Sequence, residues 1–283
     1  MRKSKFMTWA FIATTIGFSA CTNVAEEVPV EKKEIRLTSE ITPSRVTSLD
    51  YQSKQIIEGR QVGVTISGAA EKHENVLWNV EGNGKLVPSD AVHWAQTKAI
   101  ITAYHPFNSQ WTGMEHDFSV HTDQSTNAGY LDSDLLWATA TSSPMDMPVS
   151  LLFKHKLAKI NITLTSTEVS DLSDAIIYIC GTQISAKFNP STGELSATTS
   201  NVADIKASVT TESAYTASAI IIPQVVASET DFIKIHHQGK EYCYTLSESN
   251  TYESGKSYNF LLEIKRKGGD CEGNMNGGGN GWN

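Results

Sequence analysis

Histidines crowd together at two places in this sequence, where metal binding or general acid–base catalysis would be sought first. "HDFSVH" sets His116 and His121 five residues apart with Asp117 beside the first, and "HHQGKE" makes His236 and His237 adjacent. Neither spacing converges: successive side chains of a β-strand point to opposite faces, so residues one or five apart cannot share one ion. These four are read as turn or surface histidines. His155 differs, because it shares odd parity with Leu151, Phe153 and Leu157, which makes it a structural core side chain. Asp132 and Asp134 fall on one strand face or in one turn, and without a cleft they read as solvated or capping carboxylates. GxSxG, a P-loop and a dinucleotide fingerprint are all missing from the sequence. The chain reads as a non-enzyme, with no catalytic residues, no cofactor and no metal site.

The most definite chemistry belongs to a thiol. Arg2, Lys3 and Lys5 precede an apolar run from Phe6 to Phe18, and the run ends in "FSAC" at residues 18 to 21. Thirteen residues of helix rise about 20 Å, short of the ~30 Å hydrocarbon core, so the run is a secretory signal rather than a span. Phe18-Ser19-Ala20-Cys21 matches the bacterial lipobox, in which a peptidase cuts before a cysteine whose sulfur carries diacylglycerol as a thioether. Cys21 is therefore the candidate lipidation site, with residues 1–20 a lipoprotein signal peptide and 21–34 a polar tether. The alternative is an ordinary signal cut nearby, with Cys21 incidental. Acyl chains contribute ~0.8 kcal/mol per buried CH₂, so several of them hold a protein on an outer membrane. Cys180, Cys243 and Cys271 remain, an odd number that excludes a fully paired framework within one chain. Cys180 and Cys243 either pair or stand as two buried thiols.

Lys and Arg number 23 against 31 acids, a net charge of −8; residues 1–20 hold three of the bases and no acid, so the remainder carries −11. Nucleic acid is excluded as a partner, since phosphate binding needs a basic surface.

What must position all of these residues is a set of short strands. "QVGVTIS" puts Val62, Val64 and Ile66 on one face, "NVLWNV" does so with Val76, Trp78 and Val80, and "YNFLLEI" with Tyr258, Phe260, Leu262 and Ile264. Turn signals separate them: "EGNGK" at 81–85, "NPSTGE" at 189–194 and "HHQGKE" at 236–241. The second predicts a hairpin with Phe188 opposite Leu195. The third places Ile233 and Ile235 across from Tyr242, Tyr244 and Leu246. No long stretch keeps a 3.6 period, so any helix is short, within "SDLLWATA" or "STEVSDL". In "VSLLFKHKLAKINITLTS" the apolar parity switches from odd, through Leu157, to even from Ile160, which predicts a β-bulge near Ala158 or Lys159. "TSSPMDMP" upstream marks a boundary between two β-sandwich domains, 35–147 and 148–267, followed by a glycine-rich tail, 268–283.

With the lipobox, "AIITAYHPF" at 99–107, "SDLLWATAT" at 133–141, "LLFKHKLAKINITL" at 151–164 and "ESGKSYNFLLEI" at 253–264, the chain resembles the fimbrillin family of Bacteroidales over most of its mature length. The resemblance implies an all-β fold of two tandem transthyretin-like Greek-key sandwiches with few short helices. It also implies a surface lipoprotein of the outer membrane that serves in a type V pilus or as a related adhesin. In that family a trypsin-like protease cuts after a basic residue near the N-terminus, the first strand leaves, and a strand of a neighbouring subunit fills the groove by β-augmentation.

Mapped onto this chain, "KKEIRLTSEI" at 32–41 is the candidate first strand. "TPSRVTS" at 42–48 has the composition of an exposed linker and makes Arg45 the candidate processing site, ahead of Arg36 and Arg60, which lie in strand-like patterns. The alternative is a solvated Arg45 that is never cut. The C-terminus departs from the family pattern, because "KRKGGDCEGNMNGGGNGWN" offers only Cys271, Met275 and Trp282 as anchors, and glycine-rich chain is a poor strand. A frayed tail is expected. That leaves a terminal, basal or accessory subunit, or an unpolymerised surface lipoprotein, beside the stalk role. The unpolymerised form would bind glycans or another host or bacterial surface ligand, with Trp94, Trp111, Trp137, Tyr104 and Tyr130 as sugar platforms. Core packing explains the same aromatics equally well.

Overall fold

The structure is a computed structural model; it describes residues 32–41, 55–111, 114–197, 201–210, 215–265 and, along the backbone alone, 271–281. Cys21 and Arg45 lie outside the described residues.

The chain opens with β1 (Leu37–Ile41), β2 (Gln61–Ser67), β3 (His73–Val80), β4 (Lys85–Pro88), β5 (Ala99–His105) and β6 (His116–Ser119). Helix α1 (Asn127–Asp132), β7 (Leu136–Ser142) and β8 (Val149–His155) follow. Alternation sets the inward faces: β8 buries Val149, Leu151, Phe153 and His155 and turns the residues between them outward. Hydrogen bonding runs β1-β4-β3-β2-β5-β7-β8 and closes, because β8 lies parallel to β1. A closed order leaves no strand edge, and its interior is filled by Leu37, Val62, Val64, Trp78, Ile101, Leu151 and Phe153, among others.

The helix falls between neither pair of residues expected to bound it. "SDLLWATA" instead supplies most of β7, and the helix stands just ahead of it, where the Thr126 side chain accepts from the Gly129 N–H. A local capping bond, not an apolar period, starts it.

After β8 come β9 (Ala158–Thr165), β10 (Ile176–Gln183), β11 (Ser185–Asn189), β12 (Glu194–Ala197), β13 (Val202–Lys206), β14 (Ser208–Thr210) and β15 (Tyr215–Ile221). The last six are β16 (Gln224–Val226), β17 (Asp231–His237), β18 (Lys240–Thr245), β19 (Asn250–Tyr252), β20 (Lys256–Ile264) and β21 (Cys271–Gly281). They form sheets in the orders β13-β10-β17-β18, β14-β15-β9-β20-β21 and β16-β19, while β6 from the first half joins β12-β11. The predicted hairpins are present in register: Phe188 faces Leu195, Ile235 faces Tyr242 and Ile233 faces Tyr244. Gln238 and Gly239 both take positive φ in the second, as a two-residue turn of that hand requires.

The parity switch at Leu157 is not a bulge. β8 ends at His155 in the closed sheet and β9 begins at Ala158 in another, so two residues carry the chain from one sheet to the next. Phe153 lies in one apolar cluster and Leu157 in a second, which also holds Ile160, Ile177, Phe188, Phe232 and Phe260. The division expected at 147/148 falls just ahead of β8, whose inward residues lie in the first cluster. At the seam His155 meets Asp134 at 2.8 Å, both buried, so the histidine is a satisfied core side chain.

The tail is not frayed. Residues 271–281 pair antiparallel with β20, from Ile264↔Cys271 to Lys256↔Gly281. A ladder needs backbone partners rather than side chains, and the β20 edge supplies them. Trp282 lies outside the described residues.

Candidate functional site

β1 sits in a slot. Its sequence LTSEI buries Leu37, Ser39 and Ile41 and turns Thr38 and Glu40 outward. On one side it runs parallel to β8 through five pairs, Leu37↔Val149 to Ile41↔Phe153; on the other it meets β4 at Leu37↔Leu86 and Thr38↔Lys85. The residues leading into it are tied as well: Ile35 N–H donates to the Val92 carbonyl at 2.6 Å, and Val149 N–H donates to the Arg36 carbonyl at 2.9 Å. The β3–β4 turn presses on the strand from the β4 side. Ser39 Oγ donates to the Gly84 carbonyl at 3.0 Å, and a Cβ at Gly84, where φ is +70°, would stand 2.6 Å from the Ser39 carbonyl oxygen. Only glycine fits that approach.

Ile35, Leu37 and Ile41 are all buried in the first cluster. At about 1.5–3 kcal/mol for each buried aliphatic side chain, together they contribute on the order of 5–9 kcal/mol, comparable with the whole stability of an ordinary domain. Taking the strand away would leave unpaired backbone on β4 and β8 and an apolar trench between them.

Of the basic residues near this strand, Arg36 is exposed but its carbonyl is held by β8, and Arg60 is ion-paired to Asp132 at 2.8 Å. Arg45 belongs to the connection between β1 and β2. The second terminal strand, β21, lies at a sheet edge and has β20 as its hydrogen-bonded neighbour.

The histidines of each pair diverge as their spacing requires, but His237 is a buried residue of β17 and not the turn or surface residue expected. His236 is exposed and contacts Glu241 at 2.9 Å, while His237 is buried with Nδ1 2.5 Å from the Asp174 carboxylate. His116 stacks on Trp111 with ring centroids 5.6 Å apart, and the side chain of His121 is exposed. No group of three metal-ligating side chains occurs among the described residues. Asp134 is buried rather than solvated, and Asp132, part-exposed at the end of α1, is ion-paired rather than free. Each holds a partner far away in sequence, Arg60 for the first and His155 for the second.

The aromatics do not form open platforms. Trp94, Trp111, Tyr104 and Tyr130 are buried, and Trp137 is partly buried with its Nε1–H on the Pro190 carbonyl and Gly193 against its ring face. Packing accounts for them. Cys180 and Cys243 are free thiols. They stand on β10 and β18 with β17 between them, where Lys234 pairs with both Tyr178 and Cys243, so two inter-strand spacings separate the thiols. Burial pushes the Cys180 thiol up to about 12.

Residues 44–278 match the family described as fimbrillin-like. No curated protein matches the sequence. A candidate cell adhesion protein of Bacteroides ovatus superposes with a TM-score of 0.70 at 18% identity, over 88% of this chain and 98% of its own. Another, from Bacteroides uniformis, gives 0.64 at 20% identity, over 85% and 96% respectively. A fimbrial protein of Bacteroides ovatus gives 0.52 at 15% identity; 82% of this chain covers half of that one. At these identities the structures show a shared all-β fold.

Proposed function

The chain belongs to the fimbrillin-like family, and from that membership we propose that it is a non-catalytic, surface-exposed subunit or accessory component of fimbriae, acting in adhesion and assembling by β-strand exchange. The observation that carries this reading is the seat of β1: paired on both flanks, buried on one face, and followed by a connection that contains Arg45. Cleavage after Arg45 would sever β1 from the rest of the sheet, and a strand from another subunit, alternating apolar and polar residues in the same way, would satisfy the same backbone groups and pockets.

The same reading places residues 1–20 as the signal peptide and Cys21 as the lipidated first residue of an outer-membrane precursor. It also keeps two β domains, with the boundary at the β8–β9 passage instead of 147/148 because β8 closes the first sheet. Once Arg45 is cut, the lipid leaves with residues 21–45, and attachment to the cell passes to strand exchange. The glycine content of β21 supports a terminal or accessory position over a stalk one, since glycine donates a ladder but few anchors.

Limited digestion of the folded protein with a trypsin-like protease tests the processing step. The expected product has a new N-terminus at Val46 and keeps its fold. Resistance at Arg45, or cutting spread across many bonds, would contradict it.

A further inference from the structure

A cleft of about 460 Å³ opens between the start of β2, the end of β5, β6 and the end of α1. Its size is in the range of small-molecule sites. The groups it offers alternate in hydrogen-bonding sense. Arg60 donates from Nη1 to Asp132 Oδ1 at 2.8 Å, and both side chains are partly exposed to the cleft, at 22% and 34%. Asn108 stands exposed on the rim, and the Trp111 and Phe107 rings add apolar wall.

His105 stands behind this set. Its Nδ1 lies 2.9 Å from the Gln61 carbonyl, which can only accept, so Nδ1 carries the proton and Nε2 is a bare acceptor. The side chain is 1% exposed, and Nε2 has no hydrogen-bond partner among the described residues. Burial also holds the imidazole below its ordinary range, in keeping with a neutral ring. That nitrogen is closed to solvent, so the neutral ring backs the cleft wall rather than meeting a ligand.

We infer that this cleft is a binding site for a neutral, hydroxyl-rich ligand of one or two sugar rings. A hydroxyl both donates and accepts, so vicinal hydroxyls can take a bond from Arg60 and give one to Asp132. An anion would meet the carboxylates of Asp132 and Asp117, and a cation would meet the Arg60 guanidinium. This differs from a platform of exposed aromatics, because polar groups set the orientation and the rings only close the wall. It is also independent of strand exchange, since neither β1 nor β21 lines the cleft.

The test is saturation-transfer NMR on the uncut full chain with galactose, N-acetylglucosamine and lactose as probes, and N-acetylneuraminic acid and inorganic phosphate as anionic comparators. At least one neutral sugar should bind at millimolar concentration, and Asp132→Asn should weaken it about tenfold, as loss of a charged hydrogen-bond partner does. Asn108→Ala on the rim should weaken it in the same direction and serves if Asp132→Asn does not fold. No transfer from any neutral probe, unchanged affinity in the folded variant, or preference for the anions would each overturn the assignment.

Discussion

β1 has a hydrogen-bonded neighbour on either side and buries Leu37, Ser39 and Ile41, whereas β21 pairs with β20 and has glycine at five of its eleven positions. Both are terminal strands in one fold, yet they are held by different physics. β1 combines two ladders with side chains that fill a closed core, so it leaves only at a large cost and leaves a shaped trench behind. The ladder of β21 is backbone against backbone, and a net hydrogen bond contributes about 0.5–1.5 kcal/mol against the high ordering entropy of glycine. The difference sets a strand whose loss would open a core against one whose glycine-rich sequence offers a ladder and few anchors.

Three perturbations would break or sharpen that contrast. The largest effect is expected from Leu37→Ala, which removes a fully buried side chain of β1 and should cost about 2–5 kcal/mol. At about 2–4 °C per kcal/mol for a chain of this size, calorimetry should show Tm falling by roughly 5–15 °C. A shift no larger than that of an exposed-site substitution such as Glu40→Ala would erase the distinction. Deleting residues 271–283 should cost less, within about 2 kcal/mol, and leave the hydrogen exchange of β1 unchanged. A collapse of the whole fold would show that β21 matters as much as β1.

Acid should act on one strand and spare the other. Trp78 Nε1–H donates to His73 Nε2 at 2.7 Å inside the β1 barrel, and burial lowers the pKa values of both His73 and His105. The folded values therefore lie below the unfolded value of about 6.5, and between the two the unfolded chain binds more protons. Stability is complete above about pH 6.5 and falls as pH drops beneath it. Hydrogen exchange at pH 5 against pH 7.5, corrected for intrinsic rates, should rise at β1 through β5 more than at β21. Equal rises would count against the barrel histidines as the cause.

Much of this fold was legible in the residues because its information is local. The turns at 189–194 and 236–241 announce themselves through Gly, Asn and Pro, and alternation then fixes which residues face each other. Where information is nonlocal, the reading failed. Period-2 parity reports that a strand has lost phase at Leu157, but a bulge and a passage into a different sheet give the same signature. The partners of Asp132 and Asp134 lie 72 and 21 residues away, and no spacing rule points to Arg60 or His155. The cleft was hidden for the same reason, since β2, β5, β6 and α1 meet only in three dimensions. β21 was hidden because a glycine-rich strand is specified by the edge it joins rather than by its own side chains.

The central claim is that β1 can be released by one cut and replaced by another strand in the same slot. Native mass spectrometry of protein cut after Arg45, mixed with excess isotope-labelled peptide of the sequence KKEIRLTSEI, tests it directly. The cut protein should retain its own fragment at first, then exchange it for the labelled strand one for one, with β4 and β8 protected from hydrogen exchange whenever the slot is filled. Loss of the fragment with β4 and β8 still protected, or a fragment that never exchanges, would contradict it.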